Sequence, residues 1–127
     1  MNASVLSKAV SLAYTLYPSV VWHRSTHFAF LVYKNRIQYI GWNKSHTHPE
    51  TLRHPYRPSA TIHAELDCLL KPKSDDLSSY DMIVVRIDRN MQLNNSKPCR
   101  GCQSVINQLG VNQVVYTGSD GTWWETN

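Results

Sequence analysis

Apolar side chains between residues 3 and 17 fall at Val5, Leu6, Ala9, Val10, Ala13, Leu16 and Tyr17. That three-to-four spacing lays one apolar stripe along a helix, and Pro18 is expected to stop it. Two aromatic and β-branched runs follow, Phe28 to Tyr33 and Ile37 to Trp42. The polar stretch Lys34-Asn35-Arg36 parts them, which predicts a hairpin. Residues 43–61 contain Pro49, Pro55 and Pro58 and no clean period, so they read as a long loop. Ile62 to Leu70 predicts a short helix that stops near Pro72. Met82 to Ile87 is an apolar run suited to a buried strand. Cys99 to Leu109 predicts another short helix, with Gly110 placed as its C-terminal cap. Val111 to Tyr116 reads as a strand, Ser119-Asp120-Gly121 as a turn, and Thr122 to Glu125 as a strand pairing back. The order α-β-β-α-β-α-β-β predicts an α/β domain, a mixed sheet with helices against it.

Composition narrows the setting. The 127 residues suffice for one domain, 1–127, with a core that needs no disulfide staples. There is no internal repeat, low-complexity tract or dividing linker. No run approaches 18 apolar residues, so no membrane span is expected. The start, Met1-Asn2-Ala3-Ser4-Val5, does not resemble a secretory signal. Three cysteines, two of them in a C-x-x-C, point to a reducing, cytoplasmic compartment and to metal or redox use. The net charge of +4 suits an anionic ligand such as a nucleotide but selects no function.

The candidate chemistry lies in two short motifs. His63-Ala64-Glu65 is an H-x-E, and Pro98-Cys99-Arg100-Gly101-Cys102 is a P-C-x-x-C. Together they offer an imidazole, two thiols and one carboxylate not needed as a ligand. A structural zinc site normally closes with four protein ligands, whereas a catalytic one keeps a position for water. Both motifs fall at predicted helix starts, where free N–H groups help keep thiolates ionised. Three readings stay open at this point: catalytic zinc, a redox dithiol, and a structural zinc closed by Cys68 or by His46, His48 or His54. The redox reading lacks a thioredoxin-like βαβ context around Cys99. Residues two apart lie about 200° apart on an ideal helix. For Glu65 to share a site with His63, His63 must therefore sit at the barely helical first position.

These motifs resemble the zinc-dependent cytidine/deoxycytidylate deaminase superfamily. The resemblance extends to Gly41-Trp42-Asn43 after the second strand and to the element order over residues 3–117. It implies a three-layer α-β-α sandwich with a mixed sheet of about five strands. It further implies that His63, Cys99 and Cys102 bind Zn²⁺ and that Glu65 shuttles protons. Asn43 would contact the substrate sugar, and Ala64 would let backbone groups approach the base. Family analogy also suggests a homo-oligomer. Among other loop residues, His46, His48 and His54 could form a second metal site; Lys44, Arg53 and Arg57 could clamp a phosphate or form a solvated basic loop. Trp123 and Trp124 would face opposite sides of a strand, one on the core and one at an interface. The chain departs from its relatives in mixing features. Its antiparallel ending resembles free cytidine deaminases, while His in the first motif resembles deoxycytidylate and transfer-RNA deaminases. The chain resembles the short deaminases of viral and phage type. The substrate expected from the resemblance is cytosine in a free nucleoside or nucleotide. The rivals are a polynucleotide deaminase acting on cytosine or adenine, and a non-catalytic zinc-stabilised binding module.

Overall fold

Strand alternation decides which side of the sheet each helix covers. A computed structural model describes residues 1–20, 26–44 and 62–126. His46, His48, Arg53, His54 and Arg57 lie outside these residues. The elements are α1 (Ala3–Val20), β1 (Thr26–Tyr33), β2 (Arg36–Trp42), α2 (Ala64–Leu69), β3 (Asp81–Ile87), β4 (Leu93–Asn94), α3 (Arg100–Leu109), β5 (Gln113–Thr117) and β6 (Trp123–Thr126). Their sheet order is β2-β1-β3-β5-β6, with β4 also paired to β3. All pairings are antiparallel except β3 with β5, which α3 connects.

On one face, Phe28, Phe30, Val32, Ile83, Val85 and Ile87 pack under Val5, Ala9, Ala13 and Tyr17 of α1. On the other, Ala29, Leu31, Met82, Val84 and Val114 pack with α2 and α3 residues Ala64, Leu66, Leu69, Val105 and Ile106. The three layers follow from period-2 strands between period-3.6 helices. β1 and β3 are buried on both faces, which is why their sequences read as nearly continuous apolar runs.

One expectation needs correcting. Pro18 does not stop α1, which runs on to Val20. Pro18 sits exposed in the last turn, where the missing N–H leaves only a carbonyl that water can serve. A sixth short strand, β4, also forms where Arg86 and Ile87 pair with Asn94 and Leu93. The hairpin between β1 and β2 turns at Lys34 and Asn35, with φ of 49° and 59°. Positive φ at both central residues suits the twist of a two-residue hairpin loop. Gly110 takes φ 79° and donates its N–H to Ile106 and Asn107 carbonyls, capping α3.

Gly41 sets how closely α2 lies on β2. A Cβ there would stand 2.5 Å from the Cys68 nitrogen and 2.6 Å from the Ala64 carbonyl oxygen. Both are backbone atoms of the helix that follows His63. Gly41→Ala is therefore expected to lose about 1–3 kcal/mol by forcing that helix outward. The check is the urea midpoint at unchanged slope.

Candidate active site

Both motifs begin at residues that stand just outside their helices. His63 is the N-cap of α2 with φ −73° and ψ 152°, and Cys99 is the N-cap of α3 with φ −68° and ψ 166°. Neither side chain caps its own helix. The extended backbone at His63 removes the angular conflict with Glu65, because helical phase does not apply before the first turn. Cys102 follows in the first turn of α3, so Cys99 and Cys102 converge from a single helix start.

The three side chains meet. His63 Nδ1 lies 3.6 Å from Cys99 Sγ and 3.4 Å from Cys102 Sγ. A tetrahedral zinc with ordinary Zn–S and Zn–N bonds would separate nitrogen from sulfur by roughly 3.6 Å. The donor set and spacing therefore fit Zn²⁺, and the three residues could hold a metal ion. The electrostatics agree. The Cys99 thiol is held well below its ordinary range, first by the hydrogen bond from Cys102 and then by His63. Cys102 is raised, because it keeps the shared proton and is buried. His63 is raised by its hydrogen bond to Cys99. A dication placed among these atoms would displace that shared proton and ionise both sulfurs.

Glu65 lies beside the cluster, 4% exposed. Burial pushes its carboxyl up to about 7, against weaker opposing pulls from its own backbone amide and from His63. A carboxyl poised near neutrality suits proton transfer. Asn43 follows β2, and its Oδ1 accepts the His27 N–H at 2.8 Å. Ala64 is fully buried, with its carbonyl close against Gly41. Cys68 is also buried and stands apart from the sulfur pair, its thiol directed to the Tyr39 carbonyl at 3.6 Å. Among the described residues it adds no fourth donor. Lys44 is not a solvated cation: its ammonium lies 3.0 Å from buried Asp67 and 5.0 Å from the centre of the Trp42 ring. Trp123 packs on the α1 side of the sheet and Trp124 is 58% exposed.

Sequence reasoning missed the residues that hold these segments in place. Asp67, one turn after His63, accepts the Trp42 N–H and the Lys44 ammonium, tying the flanks of Asn43 to α2. Lys44 and Ile62 exchange backbone hydrogen bonds, which seats His63 next to that strand end. On the other motif, Ser96 and Thr117 are both fully buried. Ser96 Oγ lies 2.8 Å from the Val84 carbonyl and accepts the Thr117 N–H at 2.8 Å, while Thr117 Oγ1 donates to the Asn94 carbonyl at 2.7 Å. This knot fixes the segment that delivers Pro98 and Cys99. Ser96→Ala leaves buried partners unsatisfied and is expected to cost about 1–3 kcal/mol. Chemical denaturation measures it. His27 was missed as well. It belongs to β1, and burial, then the charge of Arg86, hold its imidazole down to about 4. The only available signal was a histidine immediately before an apolar run.

The match to a protein-family model decides the family. The model for the cytidine and deoxycytidylate deaminase zinc-binding region matches residues 4–118. The chain belongs to this deaminase family. Zinc is the family's metal, and the His63, Cys99 and Cys102 group is suited to it. Solved structures share the deaminase fold. A dCMP deaminase from the cyanophage S-TIM5, in complex with dCMP and dUMP, is 21% identical, with TM-score 0.64 over 93% of this chain and 84% of that one. A cytidine deaminase from Burkholderia pseudomallei is 19% identical, with TM-score 0.65 over 100% of this chain and 93% of that one. A search of curated proteins gives no match. The fold expected of a deaminase, a mixed sheet between helix layers, is the one found.

Proposed function

We propose that this domain hydrolyses the exocyclic amine of cytosine in a free nucleoside or nucleotide, giving the uracil compound and ammonia. The carrying observation is the protonatable Glu65, buried beside three convergent metal donors. Family membership supports the reaction class. The S-TIM5 structure holding dCMP and dUMP supports a small pyrimidine nucleotide.

His63, Cys99 and Cys102 hold the metal, each supplying one donor atom. Zinc, when bound, supplies Lewis acidity that brings the pKa of water toward neutrality. Glu65 takes a proton from the attacking water and passes it to the ring nitrogen. It then returns a proton to the amine, which leaves as ammonia. The C–O bond forms first; the remaining hydroxyl proton then passes through Glu65 to the amine, and the C–N bond breaks as ammonia leaves, with no redox change. Asn43, fixed by the His27 N–H, contacts the sugar, and the small Ala64 leaves room for the base plane. The domain spans 1–127 and works in the cytoplasm as a homo-oligomer, with no nucleic acid or membrane required. No helix among the described residues is long and apolar enough to cross a membrane.

The test is ammonia release from zinc-loaded protein, read together with ultraviolet absorbance. The panel holds cytosine, cytidine, deoxycytidine, their monophosphates, adenosine, and single-stranded oligonucleotides. Release from free cytosine compounds is the expected result. Release confined to oligonucleotides would replace this substrate, and silence across the panel would leave a zinc-stabilised binding module.

A further inference from the structure

One cross-strand row lies on the metal-bearing face of the sheet. Ala29 and Leu31 of β1, and Met82 and Val84 of β3, pack with α2 and α3. Alternation therefore puts His27 and Arg86 on the same face, two residues further along each strand. They are directly paired, His27 opposite Arg86. The register Phe28 opposite Trp42 brings Asn43 level with His27, and the hydrogen bond between them confirms it. The row thus runs Asn43, His27, Arg86 across three strands, spanning roughly 10 Å at ordinary strand spacing. The charges of His63 and Cys99 both reach the His27 imidazole, so the row passes beside the metal donors.

Arg86 is the anomaly in this row. It interrupts the apolar run Met82 to Ile87 in a strand paired on both edges. Its Nε is buried without an acceptor. Its Nη1 has one long hydrogen bond, 3.4 Å to the Asn95 carbonyl. The nearby Asp88 carboxylate is taken up by the Asn90 and Gln92 N–H groups and by the Asn94 amide. Among the described residues, no carboxylate forms an ion pair with Arg86. A half-buried guanidinium that no carboxylate pairs with directly is costly to maintain. Its planar fork suits a phosphate oxygen pair.

We propose that Arg86 is a specificity residue that reads the phosphate of the substrate, with His27 positioning the sugar between Arg86 and Asn43, so that the substrate is a cytosine nucleoside monophosphate. This rests on the deaminase reading above and narrows it. The row matches that ligand in order, with sugar contact at one end and anion contact at the other. A phosphodiester within a strand offers the same oxygens, so the test includes it.

The experiment compares dCMP, deoxycytidine and a short oligodeoxycytidylate on zinc-loaded wild type, Arg86→Gln and Arg86→Lys. Calorimetric binding and ammonia release are measured separately, with melting temperatures as the folding control. Wild type is expected to favour dCMP over deoxycytidine by about 10- to 100-fold, the worth of a charged hydrogen-bonded contact. Arg86→Gln should erase that preference, mainly through KM, while leaving deoxycytidine within about threefold; Arg86→Lys should restore part of it. Equal wild-type affinity for dCMP and deoxycytidine overturns the proposal, even if Arg86→Gln fails to fold. So does an Arg86→Gln loss shared equally by both ligands. A preference for the oligonucleotide over dCMP overturns the mononucleotide assignment. The deaminase reading fails separately: phosphate-selective binding that depends on Arg86, with no ammonia from any compound, removes the reaction and keeps the specificity role.

Discussion

Replacing Glu65 with glutamine is expected to leave zinc bound at one per chain while ammonia release falls by about 10²- to 10⁴-fold, the usual worth of a positioned acid–base group. Glutamine keeps the size of the side chain, so the packing around a residue only 4% exposed is preserved. It carries no proton to exchange, and the loss should appear in kcat more than in KM. Stability gives a second readout. Burial raises the Glu65 carboxyl to about 7, so in chelator-treated protein the stability linked to its neutral form is present below the ordinary carboxyl pKa. That stability is lost as pH rises through about 7. Glu65→Gln has no such loss and should outlast wild type in urea at pH 8. Zinc analysis with an ammonia assay checks the first claim. A variant that keeps wild-type turnover would remove Glu65 from the mechanism.

Cys99→Ser or His63→Ala is expected to abolish stoichiometric zinc and to unfold the domain more easily. The donors sit 3.4 and 3.6 Å apart at the starts of two different helices, so the metal's binding energy is also folding energy. At zinc concentrations about a thousandfold over Kd the linkage is worth about 4 kcal/mol. For a chain of this size that corresponds to a melting-temperature drop of roughly 10–20 °C. Treating wild type with a chelator should produce the same drop, and re-adding zinc should reverse it only in wild type. Full zinc occupancy in either variant would break the ligand assignment.

Much of this architecture is visible in local spacing. The α1 stripe, the hairpin around Lys34 and Asn35, and the Gly110 cap each depend on neighbours within a few residues. The H-x-E and P-C-x-x-C motifs are equally local, but that they share one site was implied only by the family resemblance, and the fold brings His63, Cys99 and Cys102 together. What stayed hidden is set by pairing between distant segments. Asp67 has no signature on its six-residue helix; its importance comes from the Trp42 N–H and Lys44 that the fold brings to it. Ser96 and Thr117 meet only because β3 and β5 run parallel. The Asn43–His27–Arg86 row exists only in the register of three strands. Pro18 misled for the opposite reason: a rule about helix interiors was applied to an exposed last turn, where it is weakest.

The sheet divides the apolar interior into two compartments, α1 closing one and the α2–α3 pair closing the other. Among the described residues, only the second holds a group of metal donors, His63, Cys99 and Cys102. Demetallation should therefore loosen the molecule lopsidedly, with amides of α2 and α3 gaining deuterium while α1 and the strands beneath it stay protected. The protein would then carry one half that senses metal supply and one that ignores it.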